Sequence, residues 1–304
     1  MSGTRTKVLS GLAALPVQLR FCVSVLFRRI FRKHRYPLLY LKASKNGFLK
    51  TLKLLEQCRL TKVLKVGRKY HFSLLEPRWP SEAYDHLIAN GGLNLGGAGT
   101  PAKAQIDLAV LAITRACANR CEHCYERYNL GRREAVPMSR WETVIKELQH
   151  IGVSVIALSG GEPLARFENA LSLLESADKR RSDFHLFTSG YGASPERVTA
   201  LVNTGLAAVG VGMDHYDRSR HDAIRGRSGA FDDAVRALRL FGDAGILTYV
   251  NACVTKDLAR SDGLWRFYDL LHTLGVGALQ LLEPKPCGGY AARRRSSGRP
   301  LDCP

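Results

Sequence analysis

Short apolar runs alternate with helical periodicities along residues 106–282, and this alternation limits the fold more than any other feature. The apolar runs, rich in Val, Ile and Leu, predict six strands at 106–114, 153–159, 184–188, 207–213, 246–254 and 277–282. The intervening segments predict helices at 139–151, 167–181, 195–204, 230–244 and 263–274. Repeated βαβ units of this kind form a parallel sheet. The sequence therefore predicts an α/β fold with three quarters of the strands of a (β/α)8 barrel.

Three cysteines follow the first predicted strand at a C-x3-C-x2-C spacing: Cys117, Cys121 and Cys124. The C-terminal ends of barrel strands are where chemistry is expected. Thiolates this close together select zinc or an iron-sulfur cluster. Structural zinc requires four ligands, and the nearest fourth candidate, His123, is wedged between two of the cysteines. Three cysteines fit a four-iron cluster that keeps one iron open.

Motifs at the ends of the later strands extend this pattern. They are LSGGEP at 158–163, LFTSG at 186–190, and VGVGMD at 209–214 followed by a His-Asp and an Arg-Gly. With the cysteine triplet, they make residues 106–285 resemble the radical S-adenosylmethionine superfamily. The resemblance implies a partial (β/α)6 TIM-like barrel. Ser189 departs from the pattern, because Asn is commoner there in the family.

The resemblance also implies a set of site residues. Three irons of a [4Fe-4S] cluster would be bound by Cys117, Cys121 and Cys124. Residues assigned to binding S-adenosylmethionine are Gly160, Gly161, Glu162, Pro163, Thr188, Ser189, Asp214, Arg225 and Asn251. Within this set, Asp214 is the candidate for the ribose hydroxyls and Arg225 for the carboxylate; the alternative for Arg225 is a salt bridge on the barrel rim. Val254, Leu281 and Leu282 would line the adenine face beside Asn251.

The implied activity is reductive cleavage of S-adenosylmethionine to a 5'-deoxyadenosyl radical, which abstracts hydrogen from a peptide, a protein or a cofactor precursor. A one-electron donor such as flavodoxin or ferredoxin would be needed. A side chain at Gly161 is expected to obstruct the cofactor while leaving the cluster intact. The alternative is a non-catalytic protein with a structural zinc or cluster site, acting at a membrane surface or on nucleic acid.

The C-terminal residues 286–304 contain two further cysteines, Cys287 and Cys303, with Gly298 between them. Their spacing resembles the opening of the auxiliary-cluster domain called SPASM or twitch. The remaining ligands of such a domain would lie beyond the last residue, as in a truncated member. The alternative is a chance pattern in a tail that is rich in Gly and Arg.

Most of the net charge of +18 lies in a basic arm, residues 1–75, before a Gly- and Pro-rich linker at 76–105. Residues 1–69 carry 17 Lys and Arg against one acidic residue, Glu56. An amphipathic helix predicted at 19–34 suits an anionic membrane surface, with Phe21, Val25, Phe27 and Phe31 inserting. Packing on its own domain is an equal alternative, and nucleic acid is least favoured because no groove-reading motif accompanies the charge. The arm is expected to add nothing to the radical chemistry.

Eight cysteines in 304 residues are too few for a disulfide framework and predict a reducing, cytoplasmic compartment. No run of eighteen apolar residues occurs, so no membrane-spanning helix is predicted. The apolar stretch at 12–27 is interrupted by polar residues and is interpreted as retained rather than cleaved. Attachment to a membrane would therefore be peripheral. Cys22, Cys58 and Cys253 have no partners at ligand spacing and are predicted to be buried small hydrophobes.

Overall fold

The computed structural model describes residues 6–21, 23–24, 62–89, 106–259 and 262–291. Its largest feature is the predicted parallel sheet of six strands. These strands are β4 (Leu108–Thr114), β5 (Val155–Gly160), β6 (Asp183–Thr188), β7 (Ala208–Gly212), β8 (Leu247–Cys253) and β9 (Ala278–Leu282). They pair in chain order from β4 to β9. The predicted α/β fold and partial barrel are confirmed.

Eight α-helices lie in the described part of the chain. They are α1 (Glu82–Ala89), α2 (Met138–Ile151), α3 (Phe167–Ser176), α4 (Pro195–Asn203), α5 (Arg218–Arg225), α6 (Ala230–Asp243), α7 (Lys256–Ala259) and α8 (Gly263–Thr273). The five predicted helices correspond to α2, α3, α4, α6 and α8. None of the helices in the described ranges is long and apolar enough to cross a membrane.

The core forms where the connecting helices cover the sheet. Leu173 of α3, Leu201 of α4, Phe241 of α6 and Phe267 of α8 are fully buried against strand residues such as Ile156. Burying such a side chain stabilises the fold by about 1.5–3 kcal/mol relative to leaving it in water. The strands are nearly continuous in apolar residues because a parallel sheet is covered by its helices. This packing fixes the strand ends that carry the site.

A second, antiparallel sheet occupies the region predicted as arm and linker. It contains β1 (Lys7–Ser10), β2 (Lys62–Val66) and β3 (Lys69–His71), paired in that order. α1 follows it, inside the predicted linker. An aromatic cluster joins these elements: Phe21 at 2%, Trp79 at 3% and Tyr84 at 1% exposure, with Leu87 and Phe72. Phe21 therefore lies in a core and is not available to insert into lipid, contrary to the sequence-based expectation.

This N-terminal unit packs against the starts of the parallel strands. Val66 of β2 lies in one apolar cluster with Ala208, Leu247 and Tyr249. Arg78 forms an ion pair with Asp183 at the first residue of β6, with Nε and Oδ1 3.3 Å apart. The described part of the arm and linker therefore packs directly on the barrel. It is not an arm that is independent of the barrel. Residues 25–34 of the predicted amphipathic helix, with Val25, Phe27 and Phe31, lie outside the described residues, as do Cys22 and Cys58.

Candidate functional site

The cysteine loop, residues 115–124, begins where β4 ends and is held first by the turn that follows β5. The backbone N–H of Gly161 donates to the carbonyl of Thr114, and that of Glu162 donates to the carbonyl of Ala116, both at 2.7 Å. A side chain added at Gly161 would collide with the carbonyl of Ala116. The Gly-Gly pair therefore lets two backbones approach closely. A side chain at Gly161 is therefore expected to disturb the cysteine loop, and not only the approach of a cofactor.

The C-terminal end of α5 holds the same loop from a second side. The N–H of Arg120 donates to the carbonyl of Arg225, and the N–H of Glu122 donates to the carbonyl of Ile224, each at 2.9 Å. These carbonyls belong to the last turn of a helix, where no intrahelical partner exists. The sequence does not predict α5, because this short helix, capped by Asp217, contains only two apolar residues, Ala223 and Ile224.

The third support comes from the segment after β9, here called the strap, residues 287–291. The N–H of Gly289 donates to the carbonyl of Cys124 at 2.8 Å. Tyr290 is 2% exposed, and its ring centroid lies 6.5 Å from that of His123. The pair Gly288 and Gly289 is the one feature of the sequence that signals this contact. Three distant parts of the chain thus fix the loop that carries the cysteines.

The three thiols fit a cluster better than a single ion. Cys121 is buried, while Cys117 and Cys124 are half-buried. Burial, with smaller effects from neighbouring groups, raises the pKa of Cys117 to about 11, so a thiolate there requires a cation. Among the described residues, no three His, Cys, Asp or Glu side chains converge closely enough for one ion. Zinc would hold its thiolates about 2.3 Å from one centre, whereas a four-iron cluster spreads them apart.

Glu162 of the turn is fully buried and collects hydrogen bonds from the end of β6. Its Oε1 accepts from Oγ1 of Thr188 at 2.7 Å and from the N–H of Leu164 at 3.0 Å. Its Oε2 accepts from both the N–H and the hydroxyl of Ser189. Burial raises the pKa of Glu162 despite these bonds. Pro163 opens a short 3-10 helix behind it. Thr188 and Ser189 therefore fix the turn, and their direct role toward a cofactor stays a prediction.

Asp214 and Arg225 form a buried ion pair beside Cys121. Nε of Arg225 lies 2.8 Å from Oδ2 of Asp214, and its Nη1 donates toward Sγ of Cys121 at 3.9 Å. Oδ1 of Asp214 accepts from the N–H of Cys253 at 2.9 Å. Burial opposes ionisation of Asp214, but the charge of Arg225 and smaller favourable effects outweigh it, so the pKa of Asp214 is lowered. Arg225 therefore forms a salt bridge, as the alternative for this residue expected, but the salt bridge with Asp214 is buried and does not lie on the exposed rim of the barrel.

Two histidines complete this group, and both favour the neutral form. The N–H of Asp214 donates to Nδ1 of His221 at 3.1 Å. Burial, and then the charge of Arg225, lower the pKa of His221 to about 4. Nε2 of His123 lies 3.8 Å from Oδ2 of Asp214, and burial lowers the pKa of His123. At neutral pH, Asp214 and Arg225 are therefore the charged members of the group.

Asn251 of β8 lies beside Gly212 in the strand register. Its Oδ1 is buried without a protein hydrogen-bond partner, which fits a polar ligand at this position. Leu281 and Leu282 are 50% and 41% exposed at the end of β9, and the N–H of Val254 donates to the carbonyl of Leu282. The structure thus gathers the predicted residues at the C-terminal strand ends. Their contacts with an adenine ring stay a prediction.

Comparisons with known proteins agree with this geometry. The profile of the Radical SAM superfamily matches residues 111–262. AdoMet-dependent heme synthase of Nitratidesulfovibrio vulgaris is 27% identical over 183 residues, 59% of this chain and 48% of that protein. PqqA peptide cyclase of Streptomyces rochei is 29% identical over 203 residues, 66% of this chain and 53% of that protein.

The fold is similar to the crystal structure of Streptococcus suis SuiB bound to precursor peptide SuiA. The TM-score is 0.54 and the identity 18%, over 62% of this chain and 41% of SuiB. The chain spans about half the length of the curated relatives described above. The family profile, the cysteine triplet and the partial barrel agree. The chain belongs to the radical S-adenosylmethionine superfamily.

Proposed function

We propose that this chain is a radical S-adenosylmethionine enzyme. The observation that carries the proposal is the cysteine loop, fixed at the end of β4 by the Gly160–Pro163 turn and by the buried Arg225. A [4Fe-4S] cluster and S-adenosylmethionine supply, when bound, the one-electron cleavage that yields a 5'-deoxyadenosyl radical for hydrogen abstraction. The protein supplies binding, orientation and exclusion of water.

The residues of the chain would divide this work. Cys117, Cys121 and Cys124 would hold three irons and leave the fourth open to the amino and carboxylate groups of the cofactor. The turn would meet the amino group, with Glu162 held in place by its hydrogen bonds from Thr188 and Ser189. The unpartnered Oδ1 of Asn251 is suited to a polar group of the nucleoside.

The substrate is proposed to be a peptide, a protein or a cofactor precursor. Support comes from the names of the relatives, a PqqA peptide cyclase and a heme synthase. A flavodoxin or ferredoxin would supply the electron. No residue of this chain is assigned to the substrate, because pocket walls in this fold come from loops without a readable code.

The test is anaerobic reconstitution followed by reduction with dithionite in the presence of S-adenosylmethionine. About four irons per chain, as a [4Fe-4S] cluster requires, and release of 5'-deoxyadenosine are expected. Cys121→Ala should abolish both. Cys253→Ala is the matched control, since it removes a buried thiol outside the loop and should keep both. A colourless protein with bound zinc, or full cleavage by Cys121→Ala, would refute the proposal.

An auxiliary cluster that begins at Cys287 is the second part of the proposal. Cys287 is exposed and lies two residues before Gly289, which binds the cysteine loop. Cys303 lies outside the described residues. Iron clearly above four per chain, and its fall to four in Cys287→Ser, would support an auxiliary site. Four irons in both proteins would contradict it.

We also propose that the N-terminal unit touches an anionic membrane from the cytoplasmic side. Four apolar residues at helical spacing are exposed by 54% to 87%: Leu12, Leu15, Leu19 and Val23. This apolar face belongs to a region, residues 1–75, whose single acidic residue is Glu56. Apolar insertion combined with basic charge is what binds a protein to anionic lipid.

Liposome sedimentation tests this contact without removing the buried aromatic cluster. The variant Leu15→Gln/Leu19→Gln should sediment less with vesicles containing phosphatidylglycerol, and salt should weaken the binding of the unaltered protein. Leu75→Gln is the control, because Leu75 is 51% exposed but lies outside the helical face. Equal sedimentation of all three proteins would refute the proposal.

A further inference from the structure

Arg225 lies where it can act on the cluster ligand Cys121. It is 8% exposed, at the last residue of α5. A side chain on Gly212 of β7 would stand 2.6 Å from Nη2 of Arg225, so the absence of one leaves room for the guanidinium. The same guanidinium faces Sγ of Cys121 through Nη1, at 3.9 Å. The site is therefore shaped to keep a positive charge beside one thiol of the loop.

Asp214 holds the Arg225 guanidinium in place through an ion pair, and its negative charge partly offsets the positive charge of Arg225. Its side chain is 1% exposed, and Oδ2 lies 2.8 Å from Nε of Arg225. Arg225 donates toward Sγ of Cys121 through Nη1. The positive member of the pair is therefore the one in contact with Cys121.

A buried charge pair at this position has a defined physical effect. Reduction adds negative charge to a thiolate-ligated cluster, and the potential depends on net charge, hydrogen bonds to sulfur and solvent exposure. A guanidinium beside a ligand sulfur stabilises the reduced form. A carboxylate destabilises it. Both effects are strong here because the groups are buried, where water screens charge weakly.

We propose that Arg225 is a positioning residue that raises the reduction potential of the cluster through Cys121, and that Asp214 both orients it and limits the increase. This inference rests on the proposed function, since it requires the cluster at the cysteine loop. It differs from the assignment of Arg225 to the cofactor carboxylate, because it holds in the absence of S-adenosylmethionine.

The experiment is a potentiometric titration of the reconstituted protein without S-adenosylmethionine, followed by electron paramagnetic resonance of the reduced cluster. Arg225→Gln should shift the midpoint potential to more negative values. Asp214→Asn should shift it to more positive values. The double variant should lie between the two, and Arg225→Lys should shift less than Arg225→Gln because it keeps the charge. Arg220→Gln, on the exposed side of α5, should leave the potential unchanged.

Opposite signs separate an electrostatic role from a structural one. A merely structural role would move Arg225→Gln and Asp214→Asn in the same direction, through a loosened and wetter loop, and that outcome overturns the inference. Unchanged potentials overturn it as well. If Arg225→Gln binds no iron, Asp214→Asn and Arg225→Lys decide the question. Iron and sulfide content of the unaltered protein decides the proposed function separately, and its failure to bind a cluster would overturn both.

Discussion

Removing the side chain of Arg78 tests whether the N-terminal unit is an integral part of the barrel. Nε of Arg78 pairs with Oδ1 of Asp183, its Nη2 donates to the carbonyl of Gly205 at 3.0 Å, and its N–H donates to Oδ2 of Asp183 at 2.7 Å. Arg78→Ala deletes the first two contacts and leaves the third. Asp183, whose side chain is 1% exposed, then remains as a buried carboxylate without its cation.

The cost follows from this geometry. Breaking a buried ion pair by removing one partner costs about 3–5 kcal/mol. The Arg78 side chain is 25% exposed and one backbone hydrogen bond survives, so we expect about 2–3 kcal/mol at pH 8. Burial raises the pKa of Asp183 even with Arg78 present, and loss of the guanidinium raises it further. As pH rises through this raised pKa, the Asp183 carboxyl loses its proton, and the free-energy cost of keeping it charged in the folded variant grows. The destabilisation should therefore be smaller at pH 5 than at pH 8.

Urea unfolding, followed by circular dichroism at both pH values, measures this effect. Arg78→Ala/Asp183→Asn should recover most of the loss, because a neutral amide still accepts the surviving N–H and needs no cation. Arg68→Ala, at an exposed turn, should stay within about 0.5 kcal/mol of the unaltered protein. A variant Arg78→Ala as stable as the Arg68→Ala control would show that the contact does not couple the unit to the barrel.

Three other outcomes follow from the packing. Gly161→Val should lower the iron bound per chain because its side chain would collide with the cysteine loop, whereas Gly242→Ala, whose added Cβ would meet only Oγ1 of Thr248 at 4.0 Å, should not; equal iron in both would contradict this. Gly289→Val should speed the loss of iron to a chelator, because it displaces the strap from Cys124; an unchanged rate would refute a supporting role for the strap. A protein without residues 1–75 should unfold at a lower urea concentration, since the starts of β7 and β8 lose their apolar cover; an unchanged midpoint would count against that packing.

The parallel sheet could be predicted from the sequence because its signal is local and repeated. Each strand is a short apolar run, and each connecting helix has an apolar face of its own. The observed β5, Val155–Gly160, differs from the predicted 153–159 by two residues at its start. The cysteine triplet could also be found, because its three ligands lie within eight residues of one loop.

The N-terminal sheet could not be predicted by the same reasoning. β2 reads KVLKV, and β3 has only three residues, so neither gives a period long enough to distinguish strand from helix. The high density of Lys and Arg left a membrane-binding arm and packing on its own domain as equal alternatives. In the structure, apolar residues between the charges, such as Val66, face the barrel.

The contacts around the cysteine loop show why its chemistry depends on the whole fold. Thr114 and Ala116 bind the turn after β5, Arg120 and Glu122 bind the end of α5, and Cys124 binds the strap after β9. These partners follow the loop in the chain by roughly 45, 105 and 165 residues, so closing each contact requires ordering a long intervening segment. A loop peptide alone has none of them. The geometry that separates an open four-iron site from three unrelated thiols therefore arises only when the strands from β4 to β9 are assembled.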